Sequence, residues 1–142
     1  MIRVVLDSNV LASGIVRRSP EAAPVQIIDS WRAGHFELAI SQDILDEVTR
    51  TLGKPYFRAR LSEAQIERAL LLLSRRGRLV SLEVYVQGVA THPEDDRILA
   101  AALSAAADYL VTGDAGLLGL RDYKGVRITS PRDFLAVLQS QH

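Results

Sequence analysis

The chain opens on IRVVLD, where the run Ile2–Leu6 is short, β-branched and apolar-rich and then stops on Asp7. A short apolar run without polar–apolar alternation reads as a strand buried on both faces, as in a parallel sheet. A carboxylate closing such a strand is costly to bury unless something positive meets it.

Further along, strands and helices alternate. Pro24 to Ala33 reads as a helix stopped by Gly34, and Phe36–Ile40 as a second strand. Ser41 is placed to cap a helix over Gln42–Leu52, which Gly53, Lys54 and Pro55 break. Ser62 through Arg76 carries Ile66, Ala69, Leu70 and Leu73 at helical spacing, with Ser62 and Gln65 at its start. A short strand is expected within Leu79–Val86, an Ala-rich helix over Glu94–Ala107, and strands at Tyr109–Thr112 and Val126–Thr129. Ser130 and Pro131 open a last helix that runs to about Gln139. This order predicts an α/β sandwich around a mainly parallel sheet, in one domain over residues 1–142. In such sheets ligands sit beyond the carboxyl ends of the strands.

Several acids fall on that edge. Asp7 ends the first strand and Asp114 follows the strand in DYLVTGD. Asp95 and Asp96 open the helix that feeds it, in HPEDDRILAAAL, and Glu47 lies in the helix after the second strand. Each also has an ordinary role: Asp95 and Asp96 suit a helix N-terminus, Asp114 and Asp7 can cap the helices that follow, and Glu47 can face water. Meeting on one edge, they would repel one another. A hard divalent cation, Mg²⁺ or Mn²⁺, relieves that repulsion through a few carboxylates and several waters. Held so, it activates water and neutralises charge developing on a phosphoryl group.

Four segments in order, VVLDSNVLASG, LAISQDILDEVTRTL, HPEDDRILAAALSAAADYLVTGD and VRITSPRDFLAVL, resemble a PIN domain over nearly the whole chain. The resemblance is to the subgroup that includes toxins of bacterial toxin–antitoxin systems, relatives of the VapC toxins. It implies a three-layer α/β/α sandwich with a parallel sheet of about five strands and an Mg²⁺- or Mn²⁺-dependent ribonuclease. Carried over position by position, it implies metal ligands at Asp7, Asp96 and Asp114, with Glu47 as the fourth catalytic acid. Asn9, Thr112 and Asp95 would brace or orient these groups. It also implies a homodimer and a small antitoxin whose tail fills the acidic groove. One departure stands out: the subgroup's Asp-Pro before the third acid is here His92-Pro93.

Other acid-at-strand-end families fit less well. A receiver domain needs an adjacent acid pair after the first strand and a Lys ending a late strand, whereas this chain has Asp7-Ser8 and VRITS. A haloacid-dehalogenase phosphatase needs Asp-x-Asp, and the chain has Asp7-Ser8-Asn9. Alternatives within the resembling family are a non-catalytic module that binds RNA or a protein, and a housekeeping RNA-processing nuclease.

Charge and composition narrow the setting. Formal net charge is zero, so no global field draws the chain onto nucleic acid. Basic residues are fifteen Arg against two Lys, and Arg grips phosphate with a bidentate fork, although a genome favouring Arg codons accounts for the imbalance as well. Arg17, Arg18 and Arg58 are candidate RNA contacts, Arg58 and Arg60 lying beside Tyr56 and Phe57 in KPYFRARL. Apolar runs are short and interrupted, the N-terminus carries no leader pattern, and there is no cysteine; a cytoplasmic setting is expected.

Overall fold

A computed structural model describes residues 1–141. Its centre is β1 (Arg3–Leu6), in which Val4, Val5 and Leu6 are wholly buried. Strands β2 (Glu37–Ser41) and β3 (Arg78–Val80) lie to one side of it. To the other side lie β4 (Tyr109–Val111), then β6 (Val126–Thr129), then β5 (Asp122–Tyr123), giving the order β3-β2-β1-β4-β6-β5. Five strands are parallel and only the two-residue β5 runs antiparallel, on β6. The sheet thus has one strand more than expected, because Lys124 and Gly125, both at positive φ, turn the chain back along β6.

The strand order reverses between β1 and β4. The chain first builds outward from β1 through β2 to β3, then returns to pair β4 against the other side of β1. A switch of this kind opens a crevice at the carboxyl ends of the two strands that flank it. Here those ends lead into Asp7 and Thr112.

Helices cover the sheet: α1 (Ser8–Val16), α2 (Ala23–Arg32), α3 (Gln42–Leu52), the single turn α4 (Pro55–Arg58), α5 (Glu63–Arg76), α6 (Pro93–Ser104), α7 (Ala115–Leu120) and α8 (Pro131–Ser140). Their starts are set locally. Ser41 Oγ accepts from Ile44 N at the head of α3, Ser62 and Gln65 form a reciprocal capping box on α5, and Ser130 Oγ accepts from Asp133 N on α8. The bounds of helix α1 are not evident from sequence, since its first residue, Ser8, is polar yet buried and a buried Gly14 interrupts its apolar residues. Of the expected Leu79–Val86 strand only Val80 and its predecessors pair, and Leu79, Leu82, Val84 and Tyr85 stay exposed. Helix α6 is buried from Ile98 through Ala102, so its apolar content is core. Among the described helical residues, Leu71 on α5 and Tyr56 on α4 keep large apolar side chains in solvent. Among the described residues no helix is long and apolar enough to cross a membrane.

Candidate metal centre

The crevice is built outward from Asp7. Its backbone N donates to Val111 O at 2.9 Å, continuing the β1–β4 ladder past the end of both strands, and its C=O accepts from Leu11 N to start α1. That leaves the side chain uninvolved in capping α1. One carboxylate oxygen, Oδ2, instead accepts from Thr112 Oγ1 at 2.7 Å. The same Thr112 oxygen accepts from Asp114 N at 3.0 Å. Fully buried, Thr112 therefore ties the ends of β1 and β4 together and fixes the spacing of the two acids. Asp114 caps α7 through Oδ2, which accepts from Leu117 N at 2.9 Å. The ordinary capping role and a place at the crevice coexist in this residue.

The adjacent acids of α6 face different surroundings. Asp95 points into the crevice: burial, then the charges of Asp114 and Asp7, push its carboxyl above the ordinary aspartate range, while His92 pulls it back. Asp96 is turned inward. Its Oδ2 accepts from Gly88 N at 2.9 Å, and its Oδ1 from Val89 N at 3.1 Å and Ala90 N at 2.6 Å. A carboxylate whose oxygens already accept three backbone N–H groups is engaged in holding the 88–90 segment. Sequence reasoning expects the reverse, with Asp96 at the metal and Asp95 bracing it. Successive helical residues point about 100° apart, so only one of the pair can face a given site. Because α6 is buried on nearly all sides beyond this turn, its apolar pattern carries no phase with which to choose.

Glu47 is exposed on α3 and lines a cleft of about 250 Å³ together with Asp7 and Asp95. Sequence reasoning missed the other acids of this cleft, Asp43, Asp46 and Glu94. One of them is neutralised, Asp43 Oδ2 lying 2.6 Å from Arg97 Nη2. The spacing of the acids on α3 and at the head of α6 offers no means of telling them from solvated helix residues. Asn9 stands exposed on α1 and, among the described residues, makes no side-chain hydrogen bond to these acids. The nearer support comes from buried Ser8, whose Oγ lies 3.4 Å from Asp7 Oδ1. His92 precedes α6, exposed and without a side-chain cap. Of the candidate RNA contacts, Arg17 is paired with Asp29 and Arg58 with Glu63, while Arg18 is exposed beside Tyr56 and Phe57.

Among the described residues no three His, Cys, Asp or Glu side chains are arranged to hold a metal ion as they stand. The donor set nevertheless suits a hard cation. Asp7, Asp95 and Asp114 supply only carboxylate oxygen, and Mg²⁺ keeps several waters while using one or two carboxylates.

The PIN domain family model matches residues 3–116. No curated protein matches the sequence. In fold, the chain is similar to PAE2754 from Pyrobaculum aerophilum, with a TM-score of 0.67 and 22% identity over 99% of this chain and 91% of that one. It is also similar to a chain of VapBC2 from Rickettsia felis, a structure bound to a DNA fragment from the promoter, with a TM-score of 0.62 and 14% identity over 91% of this chain and 98% of that one. By the family match over most of its length and by its fold, the chain belongs to the PIN domain family.

Proposed function

We propose that this protein is a Mg²⁺- or Mn²⁺-dependent endoribonuclease and the toxin of a bacterial toxin–antitoxin pair, acting in the cytoplasm as a homodimer held in check by a small antitoxin. PIN domains are nucleases as a family, and the likeness to VapBC2 supports the pairing with an antitoxin. The observation that carries the chemistry is the confrontation of Asp95 with Asp7 across one cleft, with Asp114 beside them; burial first, and then the charges of Asp114 and Asp7, raise the Asp95 carboxyl.

In this reading Asp7, Asp95 and Asp114 hold the metal, and Asp96 positions Asp95 by anchoring the segment before α6. A bound Mg²⁺ or Mn²⁺ would supply charge neutralisation at the phosphate and a more acidic water. Thr112 keeps Asp7 oriented by donating to it. Glu47, exposed on the cleft wall, accepts the proton of the attacking water as its oxygen bonds phosphorus. The P–O3′ bond then breaks, leaving a 5′-phosphate and a 3′-hydroxyl that takes its proton from solvent.

A non-catalytic binding module is the second reading, favoured by the lack of a ready three-ligand group among the described residues. Cleavage of single-stranded and structured RNA by purified wild type with Mg²⁺, Mn²⁺ or EDTA, beside Asp7→Asn and Asp95→Asn, separates the two. Metal-dependent cutting by wild type alone supports the nuclease. Equal cutting by all three points to a contaminant, and inertness of wild type across metals and RNAs overturns the proposal.

A further inference from the structure

The carboxylate cleft accounts for catalysis but for none of the aromatic and cationic surface at the far end of α1. Asn9, Ser13 and Val16 fall at i, i+4 and i+7 on that helix and so lie along one strip. Asn9 and Ser13 are exposed. Beginning beside Asp7, the strip reaches Ser13 after about 9 Å of helix. There Ser13 and Val16 line a hollow of about 460 Å³ with Arg18, Tyr56 and Phe57.

The walls of that hollow are organised. Tyr56 is 40% exposed and meets Phe57 edge to face, with ring centroids 5.0 Å apart. Arg60, which lines the adjoining cavity with Val16 and Arg17 rather than this hollow, lays its guanidinium over the Tyr56 ring, 3.7 Å from the centroid, and its Nη1 donates to Tyr56 O at 2.8 Å. This stack is fixed at both ends, so its outer surface is a flat, cationic platform requiring little ordering. Arg17 and Arg58, the nearby arginines that sequence singles out along with Arg18, are neutralised by Asp29 and Glu63. Among the described residues neither Arg18 nor Arg60 has an acid within ion-pair distance.

We infer that this strip and platform form a binding track for single-stranded RNA, with the backbone following α1 from the carboxylates, a phosphate on Arg18 and an unstacked base on the Tyr56–Arg60 stack. Single strands are gripped by this combination of cation and aromatic face, because every base has a π surface and a free strand can splay its bases outward. A duplex keeps its bases paired and cannot use the platform. The inference rests on the ribonuclease reading for the direction of the track, yet binding and cleavage are separately measurable.

The test is fluorescence anisotropy in EDTA with a short labelled single-stranded oligoribonucleotide, and with the same strand in a duplex. Wild type binds the single strand more tightly than the duplex. Tyr56→Ala and Arg18→Ala each weaken single-strand binding about tenfold, while Tyr56→Phe binds like wild type. Arg18→Ala also lowers the slope of log K against log salt by about 0.7. Thermal melting shows that the variants are folded, and Arg18 lies outside any helix and is exposed, so its variant carries the test if Tyr56→Ala does not fold. Unchanged affinity in Arg18→Ala and in a folded Tyr56→Ala, equal binding of duplex, or no binding by wild type overturns the track. If wild type cuts RNA with metal and the variants bind unchanged, the track fails and the nuclease stands. If binding depends on Arg18 and Tyr56 but wild type never cuts, the nuclease reading fails and the track stands.

Discussion

Thr112 Oγ1 donates to Asp7 Oδ2 at 2.7 Å and, through the same oxygen, accepts from Asp114 N at 3.0 Å. One hydroxyl thus serves two strand ends. Valine has nearly the same shape but neither donates nor accepts there. Thr112→Val should leave Asp114 N without its acceptor, costing about 1–3 kcal/mol of stability. It should also lower kcat/KM for RNA cleavage by roughly 10–100-fold if Asp7 ligates the metal as proposed, because that carboxylate then loses its orienting partner. Thr112→Ser keeps the hydroxyl and should recover most of the activity. Equal activity in Thr112→Val and wild type would remove the bridge from the catalytic account.

The opposed environments of Asp95 and Asp96 make opposite predictions. Burial, and then the charges of Asp114 and Asp7, disfavour the Asp95 carboxylate, so Asp95→Asn relieves both and should raise the melting temperature without metal. The same change should abolish the rise that Mn²⁺ or Mg²⁺ gives to wild type, since a ligand that binds only the folded state stabilises it by mass action. Asp96→Asn replaces an oxygen that accepts backbone N–H groups with an amide that donates, and should cost about 1–3 kcal/mol with or without metal. A thermal-shift titration of both variants reads this directly. A metal response surviving in Asp95→Asn and lost in a folded Asp96→Asn would restore the assignment expected from sequence.

That pair also marks where the sequence stops being informative. The strand runs, the caps at Ser41, Ser62 and Ser130, and the placing of Asp7 and Asp114 after β1 and β4 are local signals, and each is legible. Helix α1 is not, because its buried Ser8 and Gly14 break the amphipathic pattern that advertises a surface helix. Nor is the choice between Asp95 and Asp96, which depends on where the 88–90 backbone turns back to meet a carboxylate. Ion pairing is equally invisible: Arg17 and Arg58 look available in the sequence, and only the fold brings Asp29 to one and sets Glu63 against the other.

On the opposite edge of the sheet, Glu37 joins β1 to β3. Its carboxylate accepts from Arg78 Nη1 at 3.0 Å and lies 3.3 Å from Arg3 Nε. The Arg78 hydrogen bond, with a smaller contribution from Arg3, holds the glutamate below its ordinary range against a desolvation that works the other way. A depressed folded-state value means that the stabilisation is present above the unfolded glutamate's range and is lost as pH falls through the folded one. Wild type should therefore be more stable than Glu37→Gln near neutrality, by an amount that added salt reduces. The two should converge in acid once the glutamate protonates in both states. Denaturation midpoints of the pair across pH measure this, and a gap that widens in acid would contradict the ion-pair account.

Gly14 tests the packing that supports the site from behind. It sits in α1 where that helix crosses α2, and a Cβ there would run into Ile28 Cγ1 and stand 2.7 Å from Pro24 O. Helix propensity alone favours alanine by about 1 kcal/mol. The clash is with backbone and with the branched part of a buried side chain, neither of which can swing aside, and such overpacking costs typically 1–3 kcal/mol or more. Gly14→Ala should therefore lower the melting temperature, by roughly 3–8 °C for a domain of this size. Because Gly14 lies about 10 Å of helix from Asp7, the stabilisation by Mn²⁺ should survive in the folded variant. A raised melting temperature would mean that α1 can move away from α2, and the strip from Asp7 to Arg18 would then lose its fixed course.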